Sequence, residues 1–302
     1  MTGYLHSDYV DALSEFGTPR ELSYCGGWIL QRPIPDFRYK DAMGPYPLFC
    51  CHDWSHLHAD VDKIKNDLVS LSLVTDPFGN YDRKYLQQCF KDVVIPFKTH
   101  FIIDLAQSPD DFVCNHHQRN IIKANDEVVV EKCAEPIEFL DEWVKFYNNL
   151  VERHSITGIQ AFSRESFAKQ LAVPGIEVFR AVADGSTVSM LLWYLQEDRA
   201  YYHLGASNTL GYELSASFAL FWEAIEYFKS EGLKWLDLGA GAGIESDSND
   251  GLTRFKRGWS TGSRKAYFCG RIFDHDKYSK IVKAKEISST DYFPAYRKGE
   301  FG

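Results

Sequence analysis

Two periods run through the apolar positions of the chain. A period of two, or short unbroken apolar runs, marks strands at residues 24–32, 69–74, 99–105, 127–131, 176–183, 187–196, 199–206, 235–238 and 265–271. A period of three to four marks helices at 54–68, 82–91, from Ser108 to about Ala124, from Pro136 to about His154, at 164–171 and at 213–230. The last is the strongest, with Phe218, Phe221, Trp222, Ile225 and Phe228 on one face and Gly232 just past its end. Turn chemistry separates the elements: Asp76-Pro77-Phe78-Gly79-Asn80, Asp184-Gly185-Ser186 and Glu197-Asp198. Helices and strands alternate in two similar runs with a break near 131–136. The expectation is an α/β (α+β) fold of two halves, 1–133 and 134–302, each a mixed sheet flanked by helices.

Composition narrows the class. The 302 residues are 45% hydrophobic and 15% aromatic, enough for packed cores. No apolar run reaches the length of about 18 residues that a membrane span needs, and the first residues lack the basic-then-apolar pattern of a signal peptide. A soluble, cytoplasmic protein with no transmembrane segment is expected, a monomer before an oligomer. The seven cysteines (25, 50, 51, 89, 114, 133, 269) are scattered with no C-x-x-C pair, as expected of reduced thiols. The net charge is −9, yet residues 251–302 hold 12 Lys and Arg against 5 Asp and Glu. A basic C-terminal segment on an acidic body points to a phosphate- or polyanion-binding surface, or to a solvated helix bearing Lys277, Lys280, Lys283 and Lys285.

The stretch WLDLGAGAG (235–243) imitates a nucleotide-binding turn. An S-adenosylmethionine methyltransferase would need this turn early in its fold, a helix directly after it and an acidic strand end about 20 residues on. Here about 60 residues remain, and the turn runs into the loop residues 245–251. That reading is rejected. Glycines that let a strand end pack against a neighbouring loop explain the run instead.

The next nine residues are more informative: Gly251-Leu252-Thr253-Arg254-Phe255-Lys256-Arg257-Gly258-Trp259. The pattern G-L-x-x-F-K-x-G-[FW] resembles the late signature of the FemABX-like peptidyltransferases, within the GNAT N-acyltransferase superfamily. Other segments are similar in the same order: Gly44-Pro45, Leu73-Val74-Thr75-Asp76-Pro77, PFKTHFIIDL (96–105), HQRNIIKA (117–124) and AYYHLGAS (200–207). The resemblance spans residues 24–272. It implies two GNAT-like halves and attack of an amine on an activated acyl group. The donor would be acyl-CoA or aminoacyl-tRNA, with no permanently bound cofactor. The acceptor would be an amine of a small molecule, peptide or cell-envelope (cell-wall) precursor, in some cases phosphorylated. No DNA partner is implied.

The resemblance also assigns residues. Lys256 would contact the donor ester or stabilise the oxyanion of the tetrahedral intermediate, Phe255 would position it, and Phe255 and Arg254 are candidate substrate-binding residues. Asp76 would hold or deprotonate the attacking amine. Tyr202 falls where the family has an active-site tyrosine, and Arg38 or Lys40 would hold a phosphate. Bland readings stand beside these: a surface lysine, an aspartate that starts a turn, a packed core aromatic. The usual CoA loop is reduced to Asn208-Thr209-Leu210-Gly211-Tyr212-Glu213, so a CoA site is not signalled. Cys50, Cys51, His52, His56 and His58, with Cys114, His116 and His117, are metal-ligand types without zinc-site spacing, and no metal is expected. A catalytically idle GNAT-like binding module is the alternative from another class.

Overall fold

The computed structural model describes residues 1–241 and 250–300. In chain order its elements are α1 (Ser7–Ala12), β1 (Thr18–Leu22), β2 (Gly27–Pro33), β3 (Lys40–Met43), α2 (Leu57–Ile64), β4 (Ser70–Val74), α3 (Arg83–Cys89) and β5 (Val93–Asp104). Next come α4 (Pro109–Phe112), α5 (Asn115–Asn125), β6 (Val129–Lys132), α6 (Leu140–His154), α7 (Arg164–Gln170), β7 (Ile176–Ala183), β8 (Ser186–Gln196) and β9 (Arg199–Ser207). The chain closes with α8 (Thr209–Glu213), α9 (Ala216–Ser230), β10 (Trp235–Asp237), α10 (Gly251–Arg257), β11 (Gly262–Ile272) and α11 (His275–Ala284). This is a mixed α/β fold. The acidic loop at residues 245–249 and Gly243 of the glycine run lie outside the described residues.

The chain forms two compact units. The first comprises Tyr4–Phe97, Thr157–Phe162 and Lys265–Gly302; the second comprises Met1–Gly3, Lys98–Ile156 and Ser163–Arg264. The 133/134 boundary drawn from the sequence falls inside the second unit. There Val130 pairs with Ala181, and the Cys133 amide donates to the Val178 carbonyl at 2.8 Å. The loop chemistry near Pro136 marks a turn of the chain, while the sheet pairing that decides the unit is invisible locally.

The first unit has strand order β1-β2-β3-β4-β11, antiparallel except for β3 and β4, where Ala42 faces Leu71 in parallel. Pro19 sits on β1 at the sheet edge, where a missing N–H costs no ladder bond. Leu57, Val61 and Ile64 of α2 and Leu86 and Cys89 of α3 pack with Leu71 and Leu73 of β4. Asp41 on β3 is fully buried. Its two oxygens accept from Nε and Nη2 of Arg297, each at 2.9 Å, in a bidentate pair.

The second unit has strand order β5-β10-β9-β8-β7-β6. Only β9 and β10 pair in parallel. The apolar face of α9, with Leu220, Phe221, Ala224, Ile225 and Phe228, covers Trp193, Phe179 and Leu236. The helix expected over 213–230 is broken at Ser215, whose φ of 57° is left-handed, so α8 and α9 are separate. The helix expected from Ser108 is likewise two pieces, because Val113 and Cys114 are extended (ψ 120° and 152°). A further helix, α10, replaces a loop expected before the last strand.

Removing one partner of a buried, bidentate pair leaves an uncompensated charge. Asp41→Ala should lower the unfolding free energy in urea by about 3 kcal/mol or more. Glu300→Ala, which removes a more exposed partner of Arg297, should cost about 1 kcal/mol or less.

Candidate active site

In the second unit β10 follows β9 only from Trp235↔Arg199 to Asp237↔Tyr201. β9 runs on to Ser207, while β10 stops. The crevice beyond the carboxyl ends of parting parallel strands is a common ligand site. Tyr202 is the first residue of β9 past this pairing. The Lys256 ammonium lies 5.4 Å from its ring centroid and donates to the Ala240 carbonyl at 2.6 Å.

The local sequence makes this placement. Asp250 caps α10 by accepting from the Thr253 amide at 2.8 Å and from the Thr253 hydroxyl. Thr253 and Lys256, three apart, are buried on one face; Arg254 and Arg257 are exposed. Phe255 and Trp259, four apart, enter the aromatic core, Phe255 at 5.0 Å from Phe221 and Trp259 stacked on Phe221 at 5.7 Å. His117 of α5 donates from Nε2 to the Phe255 carbonyl at 2.8 Å. The ring of Phe255 thus anchors α10, and Lys256 turns to the strand ends.

The glycines accommodate this helix. Gly239 has φ 73°, and a Cβ there would stand 3.1 Å from Lys256 Nζ. A Cβ on Gly241 would overlap Thr253 Oγ1. On β9, a Cβ on Gly205 would overlap the Tyr202 hydroxyl. The glycine run therefore packs a strand end against a helix. The Asp237 carboxylate accepts from the Gly239 amide at 2.7 Å and lies 2.8 and 2.9 Å from His100 Nδ1, which must carry the proton of that bond. Both side chains are buried.

The electrostatics follow from burial. Lys256 is 6% exposed. Desolvation draws its pKa down to about 8, with Asp237 and Asp250 opposing and Lys98 adding to the fall. Burial also pushes the Tyr202 phenol up, so it is a neutral hydrogen-bonding group. The arrangement is a desolvated cation beside a neutral phenol ring, next to the half-buried backbone of a glycine turn. It suits a developing oxyanion.

In the first unit, Asp76 follows the carboxyl end of β4. It is 3% exposed, and Oδ1 accepts from the Phe78 amide at 2.9 Å while its carbonyl accepts from Gly79 and Tyr81. Asp76 therefore shapes the turn the sequence predicted. Gly44 ends β3 beside it, where a Cβ would stand 2.8 Å from Leu73 Cβ. Arg38 and Lys40 line an open cleft of about 460 Å³ with Arg20, Tyr39, Asp67 and Lys277. This cleft is at the amino end of β3, so the parallel pair separates Arg38 and Lys40 from Asp76. Lys256 and Tyr202 meet; Arg38 and Lys40 meet elsewhere.

Three residues escaped the sequence reading: Lys98, His100 and Asp237. Lys98 and His100 are two apart on β5 and share a face, and Asp237 closes an Asp-x-Gly turn at a strand end. That Asp-x-Gly signal was legible but belongs to many turns. Of the metal-ligand types, Cys50 and Cys51 are buried, His56 lies 3.1 Å from Asp53 and His58 3.9 Å from Asp62. Among the described residues no group of three or more His, Cys, Asp or Glu is placed to hold a metal ion. No helix among them is long and apolar enough to cross a membrane.

Residues 115–257 match the family model described as acetyltransferase (GNAT) domain. Most of the Lys256 assembly lies in that span. No curated protein matches the chain in sequence. Among solved structures, FemX superposes with a TM-score of 0.69 at 14% identity, covering 91% of this chain and 93% of FemX. The C-terminal domain of a putative lysylphosphatidylglycerol synthetase from Agrobacterium fabrum gives 0.60 at 11% identity, with 95% and 92% covered. L-PGS from Bacillus licheniformis gives 0.57 at 15% identity, with 96% and 99% covered. The chain has a GNAT-like α/β fold, which over nine tenths or more of its length is shared with FemX and these synthetase domains.

A buried cation costs stability. Lys256→Met should raise the unfolding free energy near neutral pH by about 1–3 kcal/mol, and the thermal midpoint with it, because the desolvation that lowers the Lys256 pKa is removed. The folded pKa is below the unfolded one. The penalty is therefore full below pH 8 and fades between pH 8 and 10, and the two melting curves should converge there. A Met variant that melts below the parent would contradict this.

Proposed function

We propose that the chain is an N-acyltransferase whose reaction centre is the Lys256–Tyr202 crevice. The single observation behind this is the placement of a desolvated ammonium where parallel strands part, inside the segment that matches the GNAT domain. An amine attacks the carbonyl of an activated acyl group. The carbonyl oxygen becomes an oxyanion, and Lys256 Nζ, already protonated below its pKa of about 8, stabilises it. Collapse breaks the bond from the acyl carbon to the donor's leaving group, and the proton lost by the attacking nitrogen ends on that departing group. The Ala240 carbonyl holds Nζ in place beforehand, so little reorganisation is needed. Arg254, exposed on the same helix as Lys256, is proposed to meet the donor.

The proposed donor is an aminoacyl ester of the tRNA type. In GNAT enzymes free amides after the fourth strand hold the CoA pyrophosphate. Here the Gly211 amide donates to the Asn208 side chain at 2.8 Å, and the Tyr212 amide donates to the Asn208 carbonyl at 3.1 Å. Those amides are spent on the turn. A Cβ on Gly211 would also overlap the Val188 carbonyl, so this glycine packs rather than cradles. The acceptor is proposed to be an amine of a cell-envelope or peptide precursor in the cytoplasm.

The test is donor binding followed by turnover. Mixed aminoacyl-tRNA should raise the thermal midpoint and lose the effect at higher salt; acetyl-CoA should not. A shift with acetyl-CoA alone would sink the tRNA proposal and keep the acyltransferase. Binding without any transfer to amine acceptors would favour the idle binding module. Lys256→Met should lower the transfer rate about 10²–10³-fold, and the parent rate should fall as pH rises through 8.

A further inference from the structure

Next to α10 lies a second reactive arrangement that the proposed acyl transfer does not use. Cys114 stands at the break between α4 and α5, as the N-cap residue of the 11-residue α5. Its Sγ lies 3.2 Å from Nδ1 of His117. Nε2 of the same ring lies 2.8 Å from the Phe255 carbonyl oxygen. A carbonyl oxygen can only accept, so Nε2 carries the proton. In the neutral ring Nδ1 then has a lone pair aimed at the Cys114 S–H. A nucleophile, a base in contact with it and a third group fixing the base's tautomer form the general pattern of an activated nucleophile.

The surroundings separate this cysteine from the others. Cys114 is exposed, whereas Cys25, Cys50, Cys51, Cys89, Cys133 and Cys269 are all buried. The imidazole is buried between Phe218 of α9, Phe255 of α10 and Trp259, all uncharged. The titratable groups against it are Cys114 and His116, whose ring is 5.7 Å away. Burial lowers the His117 pKa, and His116 adds to the fall, so the ring stays a neutral base through the neutral range. Gly258 packs closely on the ring, at a place where a Cβ would overlap its Cε1 and Nε2.

We propose that Cys114 is a reactive thiol, with His117 as its base, and that it is a site of thiol–disulfide exchange with small disulfides. In the step, Sγ attacks one sulfur of R–S–S–R and the S–S bond breaks. Nδ1 takes the thiol proton and returns it to the departing R–S⁻. The products are the Cys114–S–S–R mixed disulfide and one R–SH, with no net redox change beyond the exchange.

The test is the rate of mixed-disulfide formation at Cys114 with oxidised glutathione or 4,4′-dithiodipyridine, followed by intact mass and peptide mapping from pH 6.0 to 8.5. An unassisted thiol, with free glutathione measured in parallel, loses more than about 100-fold over that range, because its thiolate fraction falls tenfold per pH unit. Cys114 should lose less than tenfold. His117→Phe, which keeps the ring and removes both nitrogens, should restore the steep profile, as should His117→Gln. Cys114→Ser should abolish the fast adduct. A parent profile as steep as that of free glutathione, a profile unchanged in His117→Phe, or the fast adduct mapping to another cysteine would each overturn the proposal. If both His117 variants fail to fold, the parent profile and Cys114→Ser still decide it.

Discussion

The structure of the second unit is arranged around one unfavourable act, the burial of the Lys256 ammonium. A lone cation removed from water costs several kcal/mol unless polar groups meet it. The Ala240 carbonyl meets this one directly, and Asp237 and Asp250 meet it at longer range. Each of those partners makes a demand on the chain. Ala240 is in reach because Gly239 turns left-handed. Gly239 turns there because its amide is held by Asp237, which is in turn held by His100. Asp250 is in reach because it caps the helix that carries Lys256. The alternating glycines, the acidic strand end and the capped helix are thus parts of one solution, although they read as separate motifs.

The aromatic core sets the register of that solution. Phe255 and Trp259 dock α10 on Phe221 of α9, and the His117 ring closes the far side. A one-residue slip of α10 in one direction would send Lys256 into this apolar cluster, and in the other would send Phe255 to the strand ends. The same cluster also orients His117, so the imidazole that faces Cys114 is fixed by packing whose main effect is on Lys256. Core packing therefore links two chemically distinct places.

The charge pattern shows how composition can mislead. The basic segment from Gly251 onward suggested a polyanion surface. Three of its cations are instead buried: Lys256 in the crevice, Arg271 bonded to Asp62 at 2.8 Å, and Arg297 on Asp41. Six others, Arg254, Arg257, Lys265, Lys280, Lys283 and Lys298, are exposed. In the first unit a cleft with Arg38 and Lys40 does collect cations, but at the end of the β3–β4 pair opposite Asp76. A count of charges cannot separate a cation that faces water from one that balances a buried carboxylate.

Most elements, and the key lysine, are legible in the amino-acid order. Periodicity locates β7, β8, β9 and the body of α9, because a half-buried strand and an amphipathic helix each imprint their repeat on the chain. The F-K-x-G-W pattern locates the packed faces of α10, since Phe255 and Trp259, which anchor it, and Lys256, which it buries at the strand ends, lie within about one turn. Long-range packing governs the rest. The breaks at Val113–Cys114 and Ser215 interrupt patterns that read locally as continuous helices, and the first is held by a distant segment, the Cys114 amide donating to the Gly258 carbonyl at 3.0 Å. The boundary of the units, the pairing of His100 with Asp237 across 137 positions, and the separation of Arg38 and Lys40 from Asp76 follow from strand order. Strand order is set by long-range sheet pairing, and no local pattern encodes which strand lies beside which.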